Sequence, residues 1–209
     1  MIKICGITGV EDALLAIASG ATLIGLVFAE GSPRRVSRGV ASDITRAVKG
    51  KARVVGVFKD SDPDFVSETF SASALDMVQY HGTESPELLR ALALPAIKAF
   101  ELTPEFEWDL VRSYKGLAEM ILLDRPKGVD APDWLAGAVR VAAAAPRDIA
   151  PFLFAGGLTP ENVGDVVRSV KPHGVDVASG VEKAPGVKDP VQVEKFCRAV
   201  KEASERCAH

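Results

Sequence analysis

The sequence predicts an α/β chain that folds as a single (β/α)8 TIM barrel over residues 1–209. Eight short runs rich in Val, Ile, Leu and Phe alternate along the chain with helical patterns. The runs are almost continuously apolar, as at residues 24–28 and 120–123, which is typical of parallel strands that helices cover on the outside. Eight strand–helix units leave about 26 residues for each unit, which suits a barrel with short loops.

The strands are predicted near residues 2–7, 23–28, 53–58, 75–80, 96–101, 119–123, 152–155 and 174–178, with boundary errors of about two to four residues. The runner-up fold is a doubly wound open sheet. Such a sheet normally has a GxGxxG turn after its first strand, whereas the turn here reads Cys-Gly-Ile-Thr-Gly at residues 5–9. No linker or low-complexity tract divides the chain, so the pattern favours one barrel domain.

Helix starts repeat in phase with the strands. Five times, a residue that can cap a helix precedes a proline suited to the first helical position: Asp62-Pro63, Ser85-Pro86, Thr103-Pro104, Thr159-Pro160 and Asp189-Pro190. Gly20 and Gly50 mark the ends of the first two helices, because glycine readily adopts the left-handed conformation that closes a helix. The alanine-rich residues 139–145 predict a further helix that Pro146 stops.

Charge and hydropathy exclude several classes of function. The chain has 25 Lys and Arg residues against 28 Asp and Glu residues, a net charge of -3, so we expect neither a nucleic-acid partner nor a membrane partner. No apolar run approaches the roughly 18 to 20 residues that span a bilayer. Met1 leads directly into the first strand without a signal peptide, which favours a cytoplasmic protein.

The Cys and His residues are too scattered for a disulfide framework or a zinc site. An odd number of widely spaced cysteines suits a reducing compartment, and no cluster shows metal-ligand spacing. The sequence therefore predicts no metal and no organic cofactor. The residues concerned are Cys5, Cys197, Cys207, His81, His173 and His209.

In a barrel of this kind the active site lies at the carboxyl ends of the strands. These exits carry Cys5, residues 32–35 (Ser-Pro-Arg-Arg), residues 79–82 (Gln-Tyr-His-Gly), Asp124, residues 155–157 (Ala-Gly-Gly) and residues 179–182 (Ser-Gly-Val-Glu). Cys5 could serve as a proton-transfer base, since the glycine after it lets the backbone turn and gives a ligand room. A buried packing role is the alternative for a strand cysteine.

Three further exit residues have two interpretations each. Asp124 either carries acid–base chemistry or caps a helix and pairs with Arg125. Arg34 is either a binding residue or a solvated loop charge. His81 is either a structural loop histidine or a residue that lines the site, and we assign it no proton.

Glycine-rich turns follow the last two predicted strands. Gly156-Gly157 and Ser179-Gly180 occupy the two loops in which such barrels often bind phosphate through backbone N–H groups. Tight turns use paired glycines as well, but the location of both loops favours a phosphate site. Asp176, inside the last strand, is expected to be a buried carboxylate whose partner the sequence does not identify.

With these residues the chain resembles the phosphoribosylanthranilate isomerases of tryptophan biosynthesis. The matches run in order from Lys3 to Asp189, over nearly the whole chain. They lie at residues 3–8, 32–34, 81–82, 122–124, 160–163, 174–177 and 179–182. One such motif means little, but together and in register they favour membership of that family.

The resemblance implies an Amadori rearrangement of N-(5′-phosphoribosyl)anthranilate to 1-(2-carboxyphenylamino)-1-deoxyribulose 5-phosphate. In the family, the thiol that matches Cys5 is the base that removes the C2′ proton, and the carboxyl that matches Asp124 is the acid that protonates the ring oxygen. The implied partner is this phosphorylated small molecule, bound by a monomer or a homodimer. The substrate-binding residues are then Arg34 against the anthranilate carboxylate, His81, Gly156, Gly157, Ser179 and Gly180.

The chain departs from the family after its sixth strand. The usual glycine-rich loop before an Asp-Trp pair is replaced by residues 125–132, which contain two prolines, although Asp133-Trp134 is retained. We expect this loop to be stiffer and substrate binding to be weaker than in relatives with the glycine loop. Ala178, where the family tends to have serine, is a milder change.

Three alternatives are kept. A ribosyl-phosphate isomerase of histidine biosynthesis would have aspartate in place of Cys5, and a ribulose-phosphate epimerase would need a metal with histidine ligands. From a different class, the chain could be a noncatalytic phosphosugar-binding barrel derived from the isomerase. The altered loop permits that interpretation, and the presence of both Cys5 and Asp124 disfavours it.

Overall fold

Eight parallel strands close into a barrel in chain order, and β1 completes the ring by pairing with β8. The computed structural model describes residues 1–146 and 148–206, so Cys207 and His209 lie outside the described residues. All eight predicted strands are present, and the (β/α)8 barrel is confirmed. They are β1 (Ile2–Cys5), β2 (Leu23–Val27), β3 (Arg53–Phe58), β4 (Met77–Tyr80), β5 (Ala96–Glu101), β6 (Met120–Asp124), β7 (Phe152–Phe154) and β8 (Gly174–Val177).

Successive strand residues point alternately into the barrel and toward the surrounding helices. The inward residues of β2–β7 and the Ala that follows β7 form an apolar layer in the middle of the barrel: Leu23, Val55, Met77, Ile97, Ala99, Met120, Leu122, Leu153 and Ala155. Cys5, Val27 and Val57 form a smaller cluster nearer the carboxyl ends of the strands. Gln79 and Asp124 follow inward residues by two positions, so they face the same interior.

The helices form the outer layer, and their apolar faces pack on the outward side of the strands. α8 also packs against α1 and α7, which joins the end of the chain to its first helix. The helices are α1 (Val10–Ser19), α2 (Arg38–Val48), α3 (Pro63–Ala72), α4 (Pro86–Leu92), α5 (Trp108–Arg112), α6 (Ala131–Ala143), α7 (Val163–Val170) and α8 (Pro190–Arg206).

Three of the five predicted helix starts are confirmed. Asp62 accepts the N–H of Asp64 at 2.9 Å, Ser85 accepts the N–H of Leu88, and Asp189 accepts the N–H groups of two residues in the first turn of α8. The two glycine ends are also confirmed. Gly20 has φ 115° and donates to carbonyls of the last turn of α1, and Gly50 has φ 74° after α2. The predicted alanine-rich helix is the second half of α6, which ends before Pro146.

The prediction at Thr103-Pro104 is wrong. The chain makes a single turn there, in which the Phe106 N–H donates to the Thr103 carbonyl, and α5 begins only at Trp108. Aromatic packing accounts for the delay, because the Phe106 ring lies edge-on to both Phe100 of β5 and Trp108.

The prediction at Thr159-Pro160 lies one turn too early, since α7 begins at Val163. Asn162 organises this turn: its Oδ1 accepts the Thr159 N–H at 2.8 Å, and its Nδ2 donates to the Gly157 carbonyl at 2.9 Å. The side chain of Asn162 therefore ties the loop after β7 to the start of the helix.

A short hairpin follows β8 and covers one side of the barrel mouth. One 3-10 turn (Ser179–Val181) leads into β9 (Glu182–Ala184), which pairs antiparallel with β10 (Val187–Lys188). Thr8 donates its hydroxyl to the Gly186 carbonyl at the tip, so the hairpin is fastened to the loop after β1. Among residues 1–146 and 148–206, no helix combines the length and apolarity needed to cross a membrane.

Candidate active site

The predicted site residues meet at the carboxyl end of the barrel. Cys5 and Asp124 are the last residues of β1 and β6, and His81 follows β4 directly. The glycine turns after β7 and β8 lie at the same end, because all eight strands are parallel. Arg34 reaches the mouth from the loop after β2: a Cβ on Gly6 would lie only 2.5 Å from its Cδ. The space that Gly6 leaves open is thus occupied by the Arg34 side chain.

The Cys5 thiol lies beside the ammonium group of Lys3. A Cβ on Gly25 would fall 2.7 Å from the Cys5 Sγ and 3.1 Å from the Lys3 Nζ, so both atoms occupy the space that this glycine leaves free. Burial raises the pKa of Cys5, and Asp176 acts in the same direction, while the positive charges of Lys3 and Lys188 partly oppose the increase. The thiol is therefore protonated at rest, with cations placed to stabilise its thiolate.

Lys3 and Asp176 form an ion pair inside the barrel. The Lys3 Nζ lies 3.1 Å from each carboxylate oxygen of Asp176, and Lys3 is fully buried. Although burial opposes its charge, attraction to Asp176 and to Cys5 raises the pKa of Lys3. Burial also raises the pKa of Asp176 in spite of Lys3. One ammonium thus faces two acidic groups, and Asp176 is the buried carboxylate whose partner the sequence left open.

Asp124 is held by two contacts at the other side of the mouth. Its Oδ1 accepts the Arg125 N–H at 2.7 Å, and its Oδ2 lies 3.2 Å from the His81 Nε2. The other ring nitrogen of His81, Nδ1, lies 2.8 Å from the Gln79 Nε2. His81 therefore lies at the barrel mouth and contacts the carboxyl of Asp124 directly, and its role in a site stays a prediction.

A second buried network lies under the hairpin. Arg34 donates to both carboxylate oxygens of Glu182, from Nε at 2.9 Å and from Nη2 at 2.7 Å. Lys188 donates to the same carboxylate at 2.8 Å, to the Cys5 carbonyl at 2.6 Å and to the Ala178 carbonyl at 3.1 Å. Although burial acts against it, hydrogen bonds from Arg34 and Lys188 lower the pKa of Glu182. The network joins the exits of β1, β2 and β8.

The loops after β7 and β8 are packed against each other. Gly156 and Gly157 adopt left-handed conformations with φ 88° and 68°. A Cβ on Gly180 would lie 1.9 Å from the Leu158 carbonyl oxygen, so no side chain fits there. Within the described part of the chain, no acceptor contacts the backbone N–H groups of Gly156, Gly157, Ser179 or Gly180. These donors are available to a ligand, as an anion site requires.

Comparison with known proteins identifies the family. The sequence profile of N-(5′-phosphoribosyl)anthranilate (PRA) isomerase matches residues 2–199. The chain belongs to the phosphoribosylanthranilate isomerase family.

The similarity covers nearly the full length of the family members compared. The isomerase of Geobacter sulfurreducens is 41% identical over 204 residues, which are 96% of this chain and 98% of that protein. A crystal structure of phosphoribosylanthranilate isomerase in complex with reduced 1-(o-carboxyphenylamino)-1-deoxyribulose 5-phosphate is 34% identical, with a TM-score of 0.78 and coverage of 96% and 98%. Monomers generated from the dimeric isomerase of Thermotoga maritima are 33% identical, with a TM-score of 0.80 and the same coverage. The resemblance seen in the sequence is confirmed.

Sequence reasoning assigned no role to Lys3, Gln79 or Lys188. Two of them carried a signal: Lys3 and Gln79 are polar residues inside otherwise apolar strands, where an unpaired polar side chain would be costly. Lys188 follows a glycine and a valine in a loop-like stretch, and nothing in its sequence context indicates burial. Its partners become apparent only once the hairpin is folded.

Two cavities in this protein differ in their position relative to the barrel mouth. One of about 740 Å³ opens beside the mouth, and His81, Lys98, Phe100 and Tyr114 are among its lining residues. Another of about 780 Å³ lies at the opposite end of the barrel and contains none of the predicted site residues. Among the described residues that line the first cavity, His81 is the one predicted site residue, and Cys5 and Asp124 are not part of the lining. Within the described ranges, no group of three His, Cys, Asp or Glu residues could hold a metal ion.

Proposed function

We propose that this chain converts N-(5′-phosphoribosyl)anthranilate to 1-(2-carboxyphenylamino)-1-deoxyribulose 5-phosphate, a step of tryptophan biosynthesis. The observation that carries the proposal is that Cys5 and Asp124 are inward-facing residues at one barrel mouth, in a chain that the isomerase family profile matches over residues 2–199. The product-like ligand in the complex of a relative supports the same substrate class. All proposed residues come from one chain, so the assignment suits a monomer and a homodimer equally.

Asp124 is the proposed general acid. It protonates the ring oxygen O4′ while the C1′–O4′ bond breaks, and the nitrogen lone pair forms the C1′=N bond of an iminium ion. The thiolate of Cys5 then removes the C2′ proton, and the electrons of that C–H bond neutralise the iminium to give an enolamine. The product forms when the O2′ hydroxyl loses its proton and C1′ gains one, so atoms and charge balance without any cofactor.

Cys5 and Asp124 must each react in the protonation state that is the minor one at neutral pH. The base has to be a thiolate and the acid has to carry a proton, whereas ordinary pKa values favour a thiol and a carboxylate at neutral pH. Since burial raises the pKa of Cys5, we expect kcat/KM to increase with pH as the thiol ionises. Lys3 beside the thiol is the group that favours the thiolate, and His81 contacts the carboxyl of Asp124.

Binding is proposed to use the charges and backbone donors at the rim. The phosphate is bound by N–H groups of the loops after β7 and β8, and the anthranilate carboxylate by Arg34. Two of the Arg34 donors, Nε and Nη2, already contact Glu182, which fixes the plane of the guanidinium. Nη1, which has no acceptor among the described residues, is the donor that would meet the substrate carboxylate.

Growth of a tryptophan auxotroph that lacks this isomerase, together with kinetics of the purified protein, tests the proposal. We expect the chain to restore growth, Cys5→Ala to abolish turnover while a reduced product analogue still binds, and Asp124→Asn to lower kcat at least about a hundredfold. Cys197→Ala, which changes a buried cysteine of α8, is the matched control and should keep its activity. Full kcat in Cys5→Ala overturns the assignment, and binding of the analogue without turnover by the unmodified chain supports a noncatalytic barrel.

A further inference from the structure

The imidazole of His81 links the buried amide of Gln79 to the proposed acid. Gln79 Nε2 lies 2.8 Å from His81 Nδ1, and His81 Nε2 lies 3.2 Å from Asp124 Oδ2. Gln79 is only 1% exposed and faces the barrel interior. Each ring nitrogen therefore has one partner, and the three side chains form a single line of hydrogen bonds that ends at Asp124.

The Gln79 amide makes no other hydrogen bond in the described part of the chain. Its Oε1 is buried and has no partner there. An unsatisfied buried amide group is costly, so a strand residue of this kind needs a reason to be polar. The contact with His81 is the interaction that this amide provides.

The orientation of the amide fixes where the His81–Asp124 pair holds its protons. When the NH2 group faces Nδ1, that nitrogen must accept, so the ring proton is on Nε2 and is donated to an ionised Asp124. When a half turn of the amide brings Oε1 to the same place, Nδ1 must carry a proton. His81 Nε2 then either accepts from a protonated Asp124 or holds the proton itself. The second arrangement contains one proton more than the first.

We propose that Gln79 is a positioning residue that selects, by the end of its amide facing His81, whether the His81–Asp124 pair holds the proton needed for ring opening. The inference rests on the proposed function, in which Asp124 is the acid. In the structure the NH2 group faces Nδ1, which is the arrangement with an ionised Asp124. A half turn of the amide brings Oε1 to Nδ1 when the pair takes up the proton used in ring opening. After the proton has passed to O4′, the NH2 group again faces Nδ1 and stabilises the ionised carboxylate. The proton that O2′ loses later returns to the His81–Asp124 pair.

The charged surroundings act on the same proton. Asp176 on β8 interacts electrostatically with both Asp124 and His81, and Glu101 on β5 is the register partner of Asp124. Asp60 and Lys59 line the cavity beside His81, and Arg125 follows Asp124 in the chain. Three carboxylates and two cations thus lie around the pair, at positions that the fold determines. Among these neighbours, the Gln79 amide is the group that can present either a donor (NH2) or an acceptor (Oε1) to His81.

The test compares pH profiles of kcat for variants at position 79. Gln79→Glu presents only acceptor oxygens when ionised, so it holds a proton on Nδ1, and we expect the alkaline limb to move up by about one pH unit. Gln79→Met removes the hydrogen bond at similar volume, and we expect that limb to move down and kcat to fall about tenfold. Ser73→Ala is the matched control, because Ser73 is also a fully buried residue with an unpartnered side-chain oxygen, and it lies away from the mouth. This control should leave both quantities unchanged.

A second measurement does not depend on activity. In ¹⁵N spectra of the His81 ring, we expect Gln79→Met to shift the pH at which the imidazole changes its protonation, and Asp124→Asn to remove the effect of position 79. Unchanged pH profiles and unchanged imidazole titration in a folded Gln79→Met variant overturn the inference. If Asp124→Asn is inactive while the position-79 variants behave like the parent, this inference fails and the proposed function stands. If the parent chain has no isomerase activity, the proposed function fails. The imidazole titration then still tests whether Gln79 controls the protonation of the His81–Asp124 pair.

Discussion

Lys3 serves two acidic groups at once, the Asp176 carboxylate and the Cys5 thiol. Only one positive charge from Lys3 is available to these two acidic groups, because an ammonium can balance only one of the two possible anions. The presence of the ionised Asp176 therefore works against ionisation of Cys5. The Asp176 carboxylate thus determines how strongly the Lys3 ammonium stabilises the Cys5 thiolate.

We predict that Asp176→Asn makes Cys5 more reactive. Removing the carboxylate leaves Lys3 with the thiolate as its counter-ion, which lowers the pKa of Cys5 and speeds alkylation by iodoacetamide about tenfold near neutral pH. The rate is measured on the Cys5 peptide by mass spectrometry. Cys197 is the internal reference, since burial raises its pKa to about 11 against the opposing charge of Lys201. Unchanged or slower alkylation of Cys5 would contradict the expected sharing of Lys3.

Arg34 is predicted to act mainly in binding. We expect Arg34→Ala to raise KM about ten- to a hundredfold and to lower kcat less, because the anthranilate carboxylate that we propose it binds is remote from the reacting carbon atoms. Steady-state kinetics measure both. Arg35→Ala is the matched control: the neighbouring arginine is half exposed and its Nη2 lies 4.0 Å from Glu30, so its removal should change little. A larger loss in kcat than in KM would instead assign Arg34 to the transition state.

At the scale of elements, the β9–β10 hairpin depends on Glu182. The carboxylate is nearly buried and forms ion pairs with both Arg34 and the buried Lys188. We predict that Glu182→Gln lowers the free energy of unfolding by about 3 kcal/mol near pH 7, because it leaves a buried ammonium without its counter-ion. Urea unfolding monitored by circular dichroism gives this difference. Lys183→Gln, on the exposed side of the same hairpin, should cost less than about 0.5 kcal/mol.

The pH dependence of this effect follows from the lowered pKa of Glu182. A carboxyl whose pKa is lower in the folded state stabilises the fold above its unfolded value of 4.5, and this stability is lost as the pH falls through the folded value. The parent protein should therefore lose its advantage over Glu182→Gln in acid. A gap in unfolding free energy that stays constant down to about pH 3 would contradict the role given to this carboxylate.

Helix starts show where local sequence is decisive and where it is not. Asp62, Ser85 and Asp189 begin helices as predicted because each cap acts within its own first turn. Thr103-Pro104 carries the same local signal, but the packing of Phe106 against β5 overrides it. The loop after β6 is as short as the sequence indicates, and Arg125 bonds the Val129 carbonyl across it. Its effect on affinity stays a prediction.

At the scale of the whole molecule, the sequence predicts the strand exits but not their connections. Strand alternation is a local property, so the positions of Cys5, Asp124 and Asp176 follow from the sequence alone. The bonds between Lys3 and Asp176 and between Arg34 and Glu182 join residues 173 and 148 positions apart. Such pairs depend on barrel closure and on side-chain conformation, which no local pattern encodes. Gln79 and His81 are only two residues apart, yet their contact depends on the chain turning after β4.

Closure of the ring between β1 and β8 also has a consequence during synthesis on the ribosome. β1 is made first, and its pairing edge stays open until β8 emerges about 170 residues later, on the order of ten seconds at typical elongation rates. During that interval Lys3 has no counter-ion and the Cys5 thiol has none of its final surroundings on the β8 side. A nascent or prematurely terminated chain that stops before β8 therefore has an unpaired, aggregation-prone strand edge. We expect such a chain to be inactive and to be bound by chaperones or degraded by proteases.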